Sequence, residues 1–261
     1  MTAEPENIVA SDGAVVYETD QAVSQYLDFH YGPPALGVRN FPAACGEAAV
    51  AAAGEAPRDR CLDGGAAVGR AAFEMARHWA HVDAVDYSTR FVDCGERLTH
   101  GEAIRYDAIV EGDLVVHREV SLEAAGLSSS GGRVRFMVGD ACALDPTLSG
   151  YGLVFCGNLV DRLQDPGRFL RGIATRVVPG GVLVITTPYT WLESYTPRDR
   201  WLGGRMESSG PVTGFDGLAR GLTEAFELVD RRDIPFVIRE TARKHQHTIA
   251  DFTAWRRRGA A

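Results

Sequence analysis

The feature that most constrains the fold is a glycine-rich turn, Asp63-Gly64-Gly65-Ala66-Ala67-Val68-Gly69, between a short apolar run and a helical pattern. Glycines in such a turn let the backbone approach a ligand, and the N-terminus of the following helix supplies unpaired N–H groups. The turn departs from the GxGxxG pattern of dinucleotide sites, because Gly65, Ala67 and Gly69 stand at alternate positions. It predicts a strand-to-helix crossover at a nucleotide-type site, with a tight crossover that binds nothing as the alternative.

Short apolar runs alternate with helical patterns along most of the chain. Beyond the turn, the apolar runs lie at 81–88, 134–141, 151–159 and 181–189, the helical patterns at 88–100, 166–178 and 215–226, and two late strands at 226–240 and 244–257. Strands that alternate with helices favour an α/β fold whose mostly parallel sheet carries helices on both faces. No second glycine-rich turn follows residue 150, which argues against a dinucleotide-binding dehydrogenase.

The segment ahead of the turn has a different pattern. Residues 1–14 show no periodicity and are expected to form a loose tail. Residues 17–31 place apolar and aromatic side chains at helical spacing, and a second helix is predicted at 43–53. We therefore divide the chain into a tail and helical lid at 1–54 and a ligand-binding domain at 55–261, and expect the lid to exclude water from the site.

Composition excludes several classes of partner. The net charge of −8 and pI near 5.4 make nucleic acid an improbable ligand. No apolar run reaches the length of a membrane span and the N-terminus lacks the pattern of a signal peptide, so we expect a cytoplasmic protein with no membrane partner. Five widely spaced cysteines without a CxxC pair predict buried thiols rather than a disulfide framework.

Three carboxylates follow predicted strands. Asp63 stands in the glycine-rich turn, Asp86 closes the next strand 23 residues later, and Asp140 ends the run VRFMVGD. An acid about 20 residues beyond such a turn is placed to reach ribose hydroxyls, and open α/β sheets bind ligands at the carboxyl ends of their strands. We expect the three side chains to share one site.

This arrangement resembles the class I S-adenosylmethionine (SAM) dependent methyltransferases over roughly residues 56–258. The resemblance implies a Rossmann-like fold with an antiparallel final strand, and SAM as the cofactor with S-adenosylhomocysteine (SAH) as its product. It also implies a set of cofactor-binding residues. These are Asp63, Gly65, Gly69, Asp86, Tyr87, Asp140, Ala141 and Asn158.

Five segments carry a closer resemblance, to the methyltransferase domain of the bifunctional ovothiol synthases. They are YETDQAVSQYLDFHYG (17–32), GDACAL (139–144), NLVDRLQDPGRFL (158–170), TPYTWLESYTPRDRWLGG (187–204) and IPFVIRETARKHQHT (234–248). That family methylates an imidazole nitrogen of 5-thiohistidine. Because the usual sulfoxide synthase does not precede residue 1, we expect a stand-alone enzyme whose histidine-derived small-molecule substrate is supplied by separate enzymes. Sulfur and its selenium analogue, as in ovoselenol-type biosynthesis, both remain open.

The reaction suggests further candidate residues. Asp161, His30 and His245, with His247, are candidates to accept a proton or orient the imidazole. Arg239, Glu240 and Lys244 offer charges to a substrate's carboxylate and ammonium groups, and Tyr17, Tyr31, Tyr189 and Trp191 offer an aromatic slot. The histidine pairs at 78/81 and 245/247 lack a surrounding ligand set, so no metal is expected.

Two other functions remain possible from the sequence. One is another small-molecule SAM-dependent methyltransferase, since CGNLVDRL (156–163) lacks the Asp/Asn-Pro-Pro-aromatic run of the nucleic-acid amino-methyltransferases. The other is a module that binds SAM to regulate a partner without catalysis. Turnover with release of SAH separates the regulatory module from both enzymes.

Overall fold

The computed structural model describes residues 16–259 and contains eleven strands. They are β1 (Arg60–Gly64), β2 (His81–Asp86), β3 (Ile104–Glu111), β4 (Leu114–Val120), β5 (Val134–Val138), β6 (Tyr151–Gly157), β7 (Val177–Thr187), β8 (Arg205–Glu207), β9 (Gly210–Val212), β10 (Phe226–Arg239) and β11 (His245–Arg257). Seven of them form one sheet in the order β10-β11-β7-β6-β1-β2-β5. Strand β11 runs antiparallel to both β7 and β10, and the pairs from β7 to β5 are parallel. The predicted α/β fold with an antiparallel final strand is confirmed.

The centre of the sheet is buried on both faces. Successive residues of β6 and β7 divide between two hydrophobic clusters, with Phe155 and Val184 in one and Cys156 and Ile185 in the other. A strand covered on both sides needs apolar residues at nearly every position, which explains the unbroken runs LVFC and VLVIT. The parallel register also aligns the strand ends, so that the turns after β1, β2, β5 and β6 meet at one edge.

Within residues 16–259, six α-helices pack around this sheet. They are α1 (Asp20–Tyr31), α2 (Phe41–Ala53), α3 (Arg70–Met75), α4 (Thr89–Thr99), α5 (Pro166–Ala174) and α6 (Gly214–Leu222). Side-chain N-caps start most of them, for example Thr19 at α1 and Ser88 at α4. Helix α5 ends at Ala174, short of the end predicted at residue 178, because the chain enters β7 at Val177.

Helices α1 and α2 belong to the same hydrophobic cluster as one face of the sheet. Leu27 of α1 and Cys45 of α2 are buried with Phe236 of β10 and Phe252 of β11. The predicted tail at 1–14 lies outside the described residues. No helix of the described part is long and apolar enough to cross a membrane.

The hairpin β3–β4, inserted between α4 and β5, is not among the elements that the sequence predicts. Its pattern Ile104-Arg-Tyr106-Asp-Ala108 alternates buried and exposed residues, which is the signature of a strand with one covered face. The hairpin contacts α1 through Asp28, whose Oδ1 accepts hydrogen bonds from the Tyr106 hydroxyl and from Arg118. Arg239 of β10 lies 3.8 Å from the other carboxylate oxygen, so one acid, whose side chain is 9% exposed, connects three elements.

Candidate active site

A cavity of about 880 Å³ opens at the carboxyl ends of β1, β2, β5 and β6. One part of its wall consists of the turns that follow these strands. The other part consists of α1, the start of α2, residues 162–168 beyond the turn after β6, the loop after β7, and the facing ends of β10 and β11. We call these the strand-end half and the lid half. The structure brings the three acids together, because Asp63, Asp86 and Asp140 all line the cavity.

Asp63 is the most unusual group in the strand-end half. Its side chain is buried, and neither carboxylate oxygen accepts a hydrogen bond of good geometry within residues 16–259, although the backbone N–H of Ala72 is near enough to lower its pKa slightly. Burial, followed by the charge of Asp86, raises the pKa of Asp63 to about 8. A buried acceptor without a donor is costly, so the group fits a ligand that brings a cation or N–H donors.

Asp86 organises the glycine-rich turn. Its Oδ2 accepts from the backbone N–H of Ala67 at 2.8 Å and its Oδ1 from that of Ser88 at 2.9 Å. Burial raises the pKa of Asp86 to about 6, while these backbone hydrogen bonds oppose the shift. Each oxygen keeps a further lone pair for a ligand hydroxyl.

The remaining predicted cofactor residues follow the strand ends. Asp140 accepts from the N–H of Cys142 at 2.8 Å and so starts a short 3-10 turn, and Asn158 has a left-handed backbone with φ of 50°. Gly65, Tyr87 and Ala141 also line the cavity. Gly69 does not. A Cβ there would lie 2.3 Å from the Phe136 ring, so Gly69 is needed for packing under α3.

Aromatic rings form much of the lid half. The ring of Tyr17 lies 5.7 Å from that of Tyr26 and 6.4 Å from that of Tyr195, and Tyr26 lies 4.6 Å from Phe91. The Tyr195 hydroxyl donates to the Tyr17 hydroxyl at 3.4 Å. Tyr17 therefore lines the cavity as the sequence predicts, and α1 contributes four more lining side chains, Gln25, Tyr26, Phe29 and His30.

Arg162 is the half-buried cation of this wall, and Asp161 holds it. Asp161 is fully buried and does not line the cavity. Its Oδ2 accepts from Nη1 of Arg162 at 3.0 Å and from the backbone N–H and hydroxyl of Thr190 at 3.0 and 2.9 Å. The structure therefore places the proposed base Asp161 behind the wall as a support.

His30 does lie in the cavity, with a restricted role. Its Nδ1 accepts from the backbone N–H of Arg70 at 3.4 Å, which leaves the ring proton on Nε2. Burial, and then the charge of Arg70, lowers the pKa of His30 to about 3. The ring is neutral at physiological pH and donates a hydrogen bond more readily than it accepts a proton.

The β10–β11 end contributes different residues from those predicted. Gln246 and Thr248 line the cavity, whereas His245 and His247 do not. Side chains alternate along a strand, and even-numbered residues of β11 face the same cluster as Leu27 of α1. Applied to the buried pair Phe252 and Ala254, this alternation would have identified Gln246 and Thr248.

The three charged residues that the sequence predicts for substrate binding lie away from the cavity. Arg239 donates to the Ile109 carbonyl at 2.6 Å and lies beside Asp28, while Glu240 and Lys244 pair with each other in the β10–β11 turn. None of the three lines the cavity. Their charges are already used in linking surface elements.

Three predicted aromatic residues lie outside the cavity for separate reasons. Tyr31 donates to the Val68 carbonyl at 2.9 Å, and Tyr189 donates to Asp251 at 2.8 Å. Trp191 is buried and stacks on Trp201 at 6.3 Å. Each ring packs against a neighbouring element, the usual fate of large aromatic side chains.

The family comparison agrees with this geometry. The family model described as "Methyltransferase domain" matches residues 39–210. The chain therefore belongs to this methyltransferase family, which confirms the predicted fold and enzyme class, and SAM is the cofactor of the class, as predicted. No curated protein matches the sequence.

Solved structures share the fold at low sequence identity. Magnesium protoporphyrin IX methyltransferase (ChlM) from Synechocystis PCC 6803, solved with bound SAM, is 12% identical with a TM-score of 0.57, over 96% of this chain and 99% of its own. The N-methyltransferase NodS from Bradyrhizobium japonicum WM9, solved with SAH, is 12% identical with a TM-score of 0.53, over 92% and 99%. The [4+2]-cyclase SpnF is 18% identical with a TM-score of 0.56, over 92% and 98%. The likeness to a cyclase shows that this fold alone does not specify the reaction.

Proposed function

We propose that the protein is a SAM-dependent N-methyltransferase acting on an imidazole nitrogen of a thiol- or selenol-bearing histidine. The observation that carries the proposal is where the ovothiol-type segments lie. All five of them, at 17–32, 139–144, 158–170, 187–204 and 234–248, contribute side chains to the cavity wall. A resemblance confined to the hydrophobic core would say little about the substrate, whereas this one covers the surface that a substrate touches.

The strand-end half fits the cofactor. Asp63, with two unpaired buried oxygens, would accept from the ammonium of the methionine part, and Asp86 would accept from the ribose hydroxyls. Asp140 and Ala141 would border the adenine, with Asn158 near the methyl donor. The bound cofactor supplies an electrophilic methyl group on a sulfonium.

The lid half fits a flat ring that carries a soft anion. The hydroxyls of Tyr17 and Tyr26 are protonated at neutral pH, as for any tyrosine, and burial raises the pKa of Tyr26 to about 12 and that of Tyr17 as well, which keeps the phenolate forms unfavourable. Donors of this kind can stabilise a thiolate or selenolate while the rings around them pack against an imidazole. The neutral Nε2–H of His30 adds a further donor, and α1 excludes water.

Turnover by the full chain tests the proposal. The purified protein is incubated with SAM and with thiohistidine, selenohistidine or histidine, and the products are examined by mass spectrometry and two-dimensional NMR. We expect methyl on a ring nitrogen, and plain histidine well below the others, because a site built around the anion leaves its own donors unpaired when the anion is missing. Equal turnover of histidine, or methyl on sulfur, selenium or the α-amine, would overturn the substrate assignment and leave the methyltransferase class intact.

Such an enzyme occupies a late place in a reaction sequence. Other enzymes would have to install sulfur or selenium on the histidine ring before this chain acts. The alternative, another small-molecule methyltransferase, predicts no turnover of these three acceptors and methylation of an unrelated small molecule once the right one is supplied. A regulatory module predicts SAH or SAM binding without any methylated product.

A further inference from the structure

We propose that Arg162 binds the carboxylate of the substrate and so fixes which face of its ring meets the methyl donor. This inference rests on the proposed function and adds the group that orients the amino-acid part. Arg162 lines the cavity with a quarter of its side chain exposed. Its guanidinium lies 5.0 Å from the centre of the Tyr195 ring, which belongs to the aromatic wall.

The hydrogen bonds of Arg162 leave one edge of the guanidinium available. Nη1 donates to the Asp161 and Thr190 carbonyls, each at 2.9 Å, and to Oδ2 of Asp161, while Nη2 donates to the Thr190 hydroxyl at 2.9 Å. Nε has no hydrogen-bond partner within residues 16–259, and Nη2 has a second hydrogen. The Nε–Nη2 edge is one of the two forks through which arginine binds a carboxylate with two parallel hydrogen bonds.

The same contacts make the guanidinium rigid. The guanidinium binds the fully buried carboxylate of Asp161 and the hydroxyl of Thr190, and it lies over the ring of Tyr195. An arginine side chain loses rotamer entropy when it binds a ligand, and a side chain that is already fixed loses less. Arg168 and Arg200 also line the cavity, yet both are exposed, and no side-chain contact of Arg168 fixes its guanidinium within the described chain.

The distribution of charge also favours an anion at this place. The acids Asp63, Asp86 and Asp140 belong to the strand-end half, whereas Arg162, Arg168 and Arg200 follow β6 and β7 in the lid half, with Asp165 in the wall and Asp161 behind it as the acids among them. SAM carries a net positive charge at neutral pH and suits the acids. A second ligand that brings a carboxylate suits the arginines.

A chemical double-mutant cycle tests the proposal. Wild type and Arg162→Met are each assayed with thiohistidine and with its carboxamide, in which the carboxylate is replaced by a neutral amide. In wild type we expect kcat/KM to fall roughly 10- to 100-fold with the carboxamide, as for the loss of one charge-assisted hydrogen bond or more. In Arg162→Met the two substrates should differ by less than about 3-fold, while the Kd for SAH stays within about 3-fold of wild type.

The cycle separates a binding role from a structural one. Loss of packing around Thr190 and Tyr195 would lower kcat/KM for both substrates by the same factor and leave the wild-type preference for the carboxylate unchanged in the variant, which would overturn the proposal. Arg162→Lys, which keeps the charge but not the fork, should retain part of the preference. Arg171→Met on α5, an exposed arginine outside the cavity, is the matched control and should retain all of it.

Failure of the proposed function would look different. If wild type methylates neither thiohistidine nor selenohistidine, the substrate assignment falls, and the Arg162 assignment falls with it. If wild type methylates thiohistidine and its carboxamide equally well, only the assignment of Arg162 falls.

Discussion

The two halves of the cavity are built in opposite ways. The strand-end half comes from turns that directly follow β1, β2, β5 and β6, so each of its groups sits next to the strand that positions it. The lid half is assembled from segments as far apart as Tyr17 and Thr248. Local chemistry can be read along the sequence, whereas a wall made of distant segments depends on how they pack. The same difference predicts that cofactor binding and substrate binding can be damaged separately.

The largest effect is expected from Asp86→Ala. The change removes the proposed acceptor for ribose hydroxyls and also leaves the N–H groups of Ala67 and Ser88 unpaired, so the glycine-rich turn loses its support. We expect the Kd for SAH to rise roughly 100-fold or more, measured by titration calorimetry. Asp113→Ala, at an exposed turn of the hairpin, is the control. Unchanged affinity would show that the end of β2 does not hold the ribose.

Asp63→Asn should weaken SAH binding roughly 10-fold or more and yet stabilise the free protein. The pKa of Asp63 is raised from 3.8 to about 8, so between these values the unfolded chain has released a proton that the folded chain still holds. Stability therefore falls as pH rises from about 4 to 8. The asparagine variant should lack this fall and melt a few degrees higher at pH 7.5 than wild type, with little difference at pH 4. A lower melting temperature at pH 7.5 would contradict the buried unpaired carboxylate.

Asp28→Asn tests whether the lid half depends on contacts behind α1. The variant leaves Arg118 and Arg239 without their shared anion, and removing one partner of a mostly buried ion pair costs about 3 kcal/mol of the free energy of unfolding. We expect a lower denaturant midpoint and a higher KM for the methyl acceptor, with the Kd for SAH changed less than about 3-fold. An equal rise in the KM for the methyl acceptor and in the Kd for SAH would show that the two halves are not independent.

The smallest effect is expected from Tyr17→Phe. Only the hydroxyl is lost, together with its hydrogen bond from Tyr195, while the ring contacts with Tyr26 and Phe91 remain. We expect kcat/KM for thiohistidine to fall roughly 3- to 10-fold with SAH affinity unchanged, as for the loss of one hydrogen bond. A parallel loss of SAH affinity would place Tyr17 in the strand-end half instead.

The residues of the strand-end half could be predicted from the sequence, whereas most of those in the lid half could not. Register between parallel strands brings Asp63, Asp86 and Asp140 together, and that could be derived from the spacing of apolar runs. The spacing does not show whether Arg239 or Arg162 reaches the cavity. Arg239 is bound by Asp28, 211 positions away, and by the β3–β4 hairpin, which the sequence did not predict. Whether a charged side chain is free to bind a ligand depends on which other residues bind it in the fold, and the linear sequence pattern does not show those contacts.

Ala67, Asn158 and Tyr189 all have left-handed backbones, with φ of 47°, 50° and 54°, and they follow β1, β6 and β7 at the edge that bears the site. For residues with a side chain this conformation costs about 1 kcal/mol or more each, so the edge stores strain that the sheet behind it resists. Glycine at position 67 or 158 would relieve this strain, but it would remove the buried methyl of Ala67 or the hydrogen bond that the Thr186 hydroxyl donates to Asn158. It would also free the loop whose fixed shape aligns two ligands. Relaxed backbone angles and turnover thus compete at the same few residues.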